Sequence, residues 1–464
     1  MLLALACSCA RADVGIVLND SLDTSIARIT GSGHSAIYFS RICPASPVKL
    51  RLCHPDESGS VMSNYTTLGE DQPFEWNVAP LNVYLYGGSK PQDRPLFATE
   101  KIKKALEERY REEYLPDLCP GAPCADSKKA EWREMVAATA ERSIYIFVVK
   151  TTRQQDQQLI DEFNSLPNVN HFNGFTRNCA TFARKVIDTY FPHAVHPDYI
   201  NDFGMTSPKA ISRSFAHYAH RHPDDEYRVL HFAQVPGTIK RSTVARDGTE
   251  QLFRSKKLLV PMALLASHEL PVVAASYLIT GRFNPQREFE EHPSALASGI
   301  DYEMKLAKED NDNAWLDGLR DARNLEQQDT VGTPREWKRY REEFDSFVDE
   351  AIRDEVIPDR TTLDRVFKEL AENGTPVIDA KNSLWLELPD RGPYHDRDTR
   401  VGLTTANING PGSDPVLAYE LLLAHIDHEF ASPAHSREPM SQFKEDWSLL
   451  QQARSRVPVS FAQR

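Results

Sequence analysis

Five short stretches in the first half of the chain carry strand-like runs of apolar positions. DVGIVL (13–18), HSAIYFS (34–40), VKLRLC (48–53), NVYLYG (82–87) and SIYIFVV (143–149) are rich in β-branched and aromatic residues and read as strands. TEKIKKALEERYREEY (99–114) and residues 127–142 read as helices, the first with Thr99 as N-cap. Loops such as PASP, PDESGS and GGSKPQDRP separate these elements. The mixture predicts an α+β domain over residues 13–204.

Further on the apolar period lengthens. In PREWKRYREEFDSFVDEAIRDEV, Trp337, Tyr340, Phe344, Phe347 and Ile352 recur at three-to-four spacing, as on the buried face of an amphipathic helix. Similar patterns around Phe367–Leu370 and Tyr419–Leu423 make residues 284–464 a mainly helical domain. The two halves differ in charge as well. Residues 284–464 hold 22 Lys and Arg against 36 Asp and Glu, a balance of −14, so the net −13 of the 464-residue chain resides there. Such an acidic half does not suit nucleic acid, and its charges read as a solvated face.

Residues 205–257 form a basic connector, with 10 Lys and Arg against 5 Asp and Glu. An apolar helical segment follows at 258–283, containing LLVPMALLASHELPVVAASYLITG (258–281). At 24 residues this run is long enough to span a bilayer. His268 and Glu269 at its centre, and the breaks at Pro261 and Pro271, favour two short buried helices instead. Membrane association through 258–281 remains a second expectation.

The chain opens on an apolar run, Met1–Cys9, followed by Ala10-Arg11-Ala12, which has the small-residue pattern of a signal-peptide cleavage site. Residues 1–12 therefore read as an export signal, and the expected location is the periplasm or cell envelope. Cysteine spacing agrees. Cys43 and Cys53 lie ten apart around two prolines, and Cys119 and Cys124 lie five apart, so two short-loop disulfides are the simplest pairing. Cys179 is then left over.

That cysteine sits in the most informative stretch, NHFNGFTRNCATFARKVIDTYFP (170–192). Gly174 permits a turn and Asn178 can cap a helix. Phe182, Val186, Ile187, Tyr190 and Phe191 follow at helical spacing, and Pro192 stops the pattern. Cys179 thus falls in the first helical turn, where free N–H groups and the helix dipole favour a thiolate and could stabilise an oxyanion. A cysteine nucleophile needs a base, and His34 in GSGHSAIYFS, at the start of a strand behind two glycines, is the best candidate.

The order Gly-His-Ser-apolar-Tyr on an early strand, then Asn-Cys opening a later helix, resembles the permuted papain-like group. That group includes NlpC-type peptidases and lecithin:retinol acyltransferase-like proteins. The resemblance covers at most residues 13–192. It implies Cys179 as nucleophile, His34 as base, and a small sheet packed on the cysteine helix. It also implies a third polar residue orienting the histidine; His54 is the first choice, with Asn64 and Asn77 as alternatives.

A metal site has weaker support. His193, His196 and Asp198, and His217, His220 and His222, cluster in sequence, and His217 with His220 could share one helix face. No HExxH motif is present and Pro197 and Pro223 break the local helices, so solvated histidines read better. No metal or other cofactor is expected. The sequence therefore points to an exported, envelope-associated thiol hydrolase or acyltransferase acting on cell-wall peptides or lipid acyl groups. The alternative is a non-catalytic envelope protein that keeps a papain-like scaffold and binds a partner through its acidic half.

Overall fold

The computed structural model describes residues 12–22, 33–54, 57–64, 74–114, 135–169, 171–173, 176–254, 268–294, 330–389 and 399–457. The chain is α+β. Seven strands form one sheet: β1 (Ala12–Asn19), β2 (His34–Phe39), β5 (Ser60–Ser63), β6 (Asn77–Pro80), β7 (Ile144–Thr151), β8 (Arg228–Phe232) and β9 (Pro293–Ser294), in the order β6-β5-β2-β1-β7-β8-β9. All neighbours are antiparallel except β8 and β9. The hairpin of β3 (Ile42–Ser46) and β4 (Lys49–Leu52) stands as a separate pair, closed by the Cys43–Cys53 disulfide. Cys7, Cys9, Cys119 and Cys124 lie outside the described residues, as does the expected signal up to residue 11.

Side-chain alternation gives the sheet two apolar faces. Val14, Ile16, Leu18, Ile37, Phe39, Phe147 and Val149 point to one core, shared with the helices α3 (Arg153–Ser165), α4 (Cys179–Tyr190) and α5 (Pro208–Arg221). Val17, Ala36, Tyr38, Ile146 and Val148 point to the other, covered by α1 (Leu81–Tyr86).

Three expectations change. NVYLYG, read as a strand, is mostly the helix α1, ended by Gly87 in the left-handed region at φ 74°. All six residues of α1 are buried, and a segment covered on every side needs no alternation to declare its type. Residues 135–142, from the stretch read as a helix, form turns around the 3-10 segment Ala138–Ala140; the part at 127–134 is outside the described residues. Residues 205–257 are not merely a connector: α5 packs on β1 and β7, and β8 is an inner strand of the sheet. The ten basic side chains there hide a five-residue strand, RVLHF, that lies inside the sheet.

Beyond 258, residues 258–267 are outside the described set. A helix α6 (Gly248–Arg254) precedes them, and α7 (Glu269–Ser276) continues into a π turn, Tyr277–Gly281. Among the described residues no helix is long and apolar enough to cross a membrane. The C-terminal region is mainly helical, with α8 (Pro285–Glu291), α9 (Pro334–Arg353), α10 (Leu363–Asn373), α11 (Pro415–Ala431) and α12 (Met440–Arg456). It also holds a three-stranded antiparallel sheet of β10 (Thr375–Ile378), β11 (Leu384–Leu388) and β12 (Thr399–Gly402). Trp337, Tyr340, Phe344 and Phe347 are buried as the spacing predicts, while Ile352 is half-buried at the rim. Their core is not private to that half. It includes Leu96, Phe97, Ile102, Leu106 and Tyr110 around the helix α2 (Glu100–Tyr114), so the two halves share one apolar interior.

Candidate functional site

The helix α4 forms where the sequence predicts. The Asn178 side chain accepts a hydrogen bond from the Thr181 backbone N–H at 3.0 Å, and its amide donates to the Thr206 carbonyl at 2.9 Å. One residue therefore caps the helix and ties its first turn to the following loop. Cys179 is the first residue of the helix, half-buried, and is the free cysteine among the described residues. Below it Ala180, Phe182, Ala183, Val186 and Ile187 are buried against the sheet.

The helix packs on β2, and the rings of Phe39 and Tyr190, the last residues of strand and helix, lie 6.4 Å apart. Twelve helical residues rise about 17 Å and six strand residues cover a similar length, about 17 Å. Strand and helix thus run in the same sense. Their first residues, His34 and Cys179, belong to the same end of the packed pair.

At that end the polar residues are buried. His34 is 4 % exposed and pairs in register with Asn19. Its Nε2 is 2.7 Å from the Ser63 hydroxyl on β5. Asn19 in turn meets the Tyr84 hydroxyl at 2.8 Å. The preceding Gly33 has φ 76°, and a Cβ there would lie 2.3 Å from the Asn19 carbonyl oxygen, so only glycine lets the chain enter β2 this way. His34 has the parity of Ala36 and Tyr38, on the face that carries Ser63, whereas Ile37 and Phe39 lie under α4.

The first choice for the orienting residue, His54, lies apart from the two alternatives. His54 is exposed at the end of the β3–β4 hairpin, where its backbone N–H donates to Glu57. Asn64 and Asn77 are buried near Ser63; Asn77 is Ser63's register partner on β6. The Ser63 hydroxyl, which the sequence did not single out, makes a side-chain contact with the His34 ring. Asp20, also missed, follows Asn19 at the same end of β1. It is 4 % exposed, and burial pushes its carboxyl up to about 7 against a hydrogen bond from Ser242 and the charge of Arg142. A lone acidic residue after a strand carries no sequence signal for this.

Of the residues weighed for metal, Asp198 is ion-paired with Arg213 and His222 Nδ1 is 2.8 Å from the Tyr218 carbonyl oxygen. His220 is 3.2 Å from Glu288.

The fold and site define an α+β protein whose free cysteine opens a helix packed on an antiparallel sheet. No family model matches the chain, and no curated protein matches it. Among solved structures, it is similar to the crystal structure of a type VI secretion system effector, TseH, at 14% identity and a TM-score of 0.21. The match covers 47% of this chain and 97% of that one.

Proposed function

We propose that the chain is a thiol hydrolase or acyltransferase of papain-like type, with Cys179 as nucleophile and His34 as base. The observation that supports this reading is the parallel packing of α4 on β2, with the starts of both elements toward one end of the sheet; because His34 has the parity of the face opposite α4, its ring reaches Cys179 only around the start of β2. In the proposed reaction His34 Nε2–H donates to Ser63, leaving Nδ1 to take the Cys179 proton. The thiolate attacks an amide or ester carbonyl carbon, and the protonated His34 gives its proton to the leaving amine or alcohol. Water or an acceptor hydroxyl or amine, deprotonated by His34, then releases the acyl group. Ser63 replaces His54 as the residue that orients the imidazole.

Apolar side chains support an acyl-bearing substrate. Tyr199, Ile200 and Phe203 are exposed on the loop before Thr206, the residue tied to Asn178. Val272, Leu278 and Ile279 are exposed around α7, which supports contact with a lipid surface. The Cys43–Cys53 disulfide supports an oxidising compartment such as the cell envelope. Cell-wall peptides are the other substrate class.

The test is the rate of haloacetamide labelling at Cys179 across pH 5–9, read by mass spectrometry. The expected profile inflects well below the ordinary thiol value of about 8.5, and His34→Ala moves the inflection back toward it. An unreactive Cys179, or a profile that His34→Ala leaves unchanged, would favour the non-catalytic scaffold, a reading that the deep burial of His34 also suits.

A further inference from the structure

Outside the cysteine helix, where the end of α5, α8 and the start of β8 meet, three metal-ligating side chains converge. His220 lies in the last turn of α5, Glu288 in α8, and His292 immediately after α8. Their ligand atoms all lie within 4.8 Å of one another. We propose that His220, Glu288 and His292 bind one divalent transition-metal ion of the zinc class.

The spacing suits such an ion. In a tetrahedral zinc site with bonds of about 2.0–2.1 Å, neighbouring ligand atoms are about 3.3–3.5 Å apart. His220 Nε2 and the Glu288 carboxylate already stand 3.2 Å apart, and the His220 and His292 rings are tilted 44° with centroids at 5.1 Å. Two imidazoles with one carboxylate select a borderline transition metal over calcium or magnesium, which prefer an all-oxygen shell.

The ligands are held from behind. The Tyr227 hydroxyl donates to Glu288 Oε2 at 3.0 Å, an outer contact of the kind that orients a metal-binding carboxylate. The Tyr227 ring also stands edge-on to both imidazoles, with centroids 5.2 Å from His220 and 5.1 Å from His292. The backbone is fixed as well. The His292 N–H donates to the Glu288 carbonyl at 2.9 Å, and the His292 carbonyl accepts from Val229 of β8 at 2.8 Å. Glu288 and His292 are therefore set on one side of a helical turn that is itself tied to the sheet. His220 is exposed and Glu288 half-buried, so an ion can enter from solvent and complete its shell with water.

A bound ion would link the end of α5 to α8 and to the two-residue edge strand β9, which pairs only with β8 in the sheet order. Binding to the folded state alone raises the unfolding temperature with metal concentration. The i,i+3 pair that the sequence offers, His217 and His220, supplies one ligand of the three.

The experiment is a zinc chloride titration of the full chain after chelator treatment and dialysis, followed by calorimetry and thermal unfolding. One equivalent is expected to bind and to raise the unfolding temperature. His220→Ala and His292→Ala are each expected to weaken binding at least about tenfold, while His54→Ala leaves it unchanged. Zinc-edge X-ray absorption of the one-to-one complex of the unmodified chain needs no variant and is expected to report two imidazoles with oxygen ligands. The proposal is overturned by absent binding, by unchanged affinity in folded His292→Ala, or by a shell containing sulfur.

Discussion

His34 Nε2 and the Ser63 hydroxyl stand 2.7 Å apart across neighbouring strands, with both side chains buried. This contact holds the imidazole through one nitrogen and, under the proposed mechanism, leaves the other to act as the base. Ser63→Ala removes the contact without adding bulk. Its expected effect is a shift of the Cys179 alkylation profile part of the way toward that of His34→Ala, with far-UV circular dichroism unchanged. Ser63→Thr, which keeps a hydroxyl, is expected to recover the unmodified profile. Identical profiles for Ser63→Ala and the unmodified chain would remove Ser63 from the site.

The shared interior of the two halves contains a buried ion cluster. Arg94 pairs with Asp446, and His425 Nε2 is 2.9 Å from Asp446 and 3.0 Å from Glu438. His425 Nδ1 meets the Leu96 carbonyl at 2.9 Å. Both ring nitrogens face carbonyl or carboxyl oxygens, an arrangement that favours the imidazolium. Burial opposes that charge, but Asp446 and Glu438 outweigh it and hold the histidine well above its ordinary range. Asp446→Asn leaves two buried cations short of a partner and is expected to cost about 3–5 kcal/mol in urea unfolding. Asp345→Asn, at the exposed Arg360 pair of 2.8 Å, is expected to change stability by less than about 1 kcal/mol. Equal effects would show that the cluster is not a joint between the halves.

Asp20 makes stability depend on pH. Its folded-state value of about 7 lies above the model-compound 3.8, so the folded chain holds an extra proton between about pH 4 and 7. The stabilisation is complete below that window and is lost as pH rises through it. Asp20→Asn removes the dependence at this position. The difference in urea midpoint between variant and unmodified chain is expected to grow in favour of the variant from pH 5 to pH 8. Taking the difference isolates Asp20 from Asp247 and Glu438, which burial also raises, to about 6 and about 8. A difference that is flat with pH would contradict the assignment.

What could be read in the sequence was local. The cap at Asn178 and the three-to-four spacing after Cys179 lie within fourteen residues of each other, and the helix followed. The disulfide closes a segment with a separation of 10, and it too followed. Ser63 and Tyr84 reach His34 and Asn19 across 29 and 65 residues, through register that no local pattern encodes. The same limit hid the cluster of His220, Glu288 and His292, since His220 meets Glu288 only in the folded chain. It also made residues 13–204 look like a self-contained domain, although α2 is buried in the C-terminal core.

The Cys43–Cys53 bond should contribute modestly to stability. It closes a short loop on a hairpin outside the main sheet, and the chain-entropy estimate for a loop of this size is about 2–3 kcal/mol. The double variant Cys43→Ala, Cys53→Ala is expected to lower the unfolding free energy from urea titration by that amount, and reductant to lower that of the unmodified chain at least as far. Sensitivity of the variant to reductant would report the second bond, expected between Cys119 and Cys124, and a fall much smaller than about 2–3 kcal/mol in the double variant would contradict the estimate.

Asn178 offers a way to separate the fold of the site from its chemistry. Its Oδ1 caps α4 and its Nδ2 holds the Thr206 carbonyl, so the two functions sit on different atoms of one side chain. Asn178→Asp keeps the capping oxygen and loses the donor; Asn178→Ala loses both. The alanine variant is expected to cost about 0.5–2 kcal/mol through the cap, and the aspartate variant less. An aspartate beside the thiol also adds a negative charge that disfavours the thiolate. Alkylation at Cys179 is therefore expected to slow at neutral pH in Asn178→Asp despite its better-preserved helix. If stability and reactivity instead fall together in both variants, the cysteine's reactivity reports helix integrity alone, and the electrostatic account of the first turn fails.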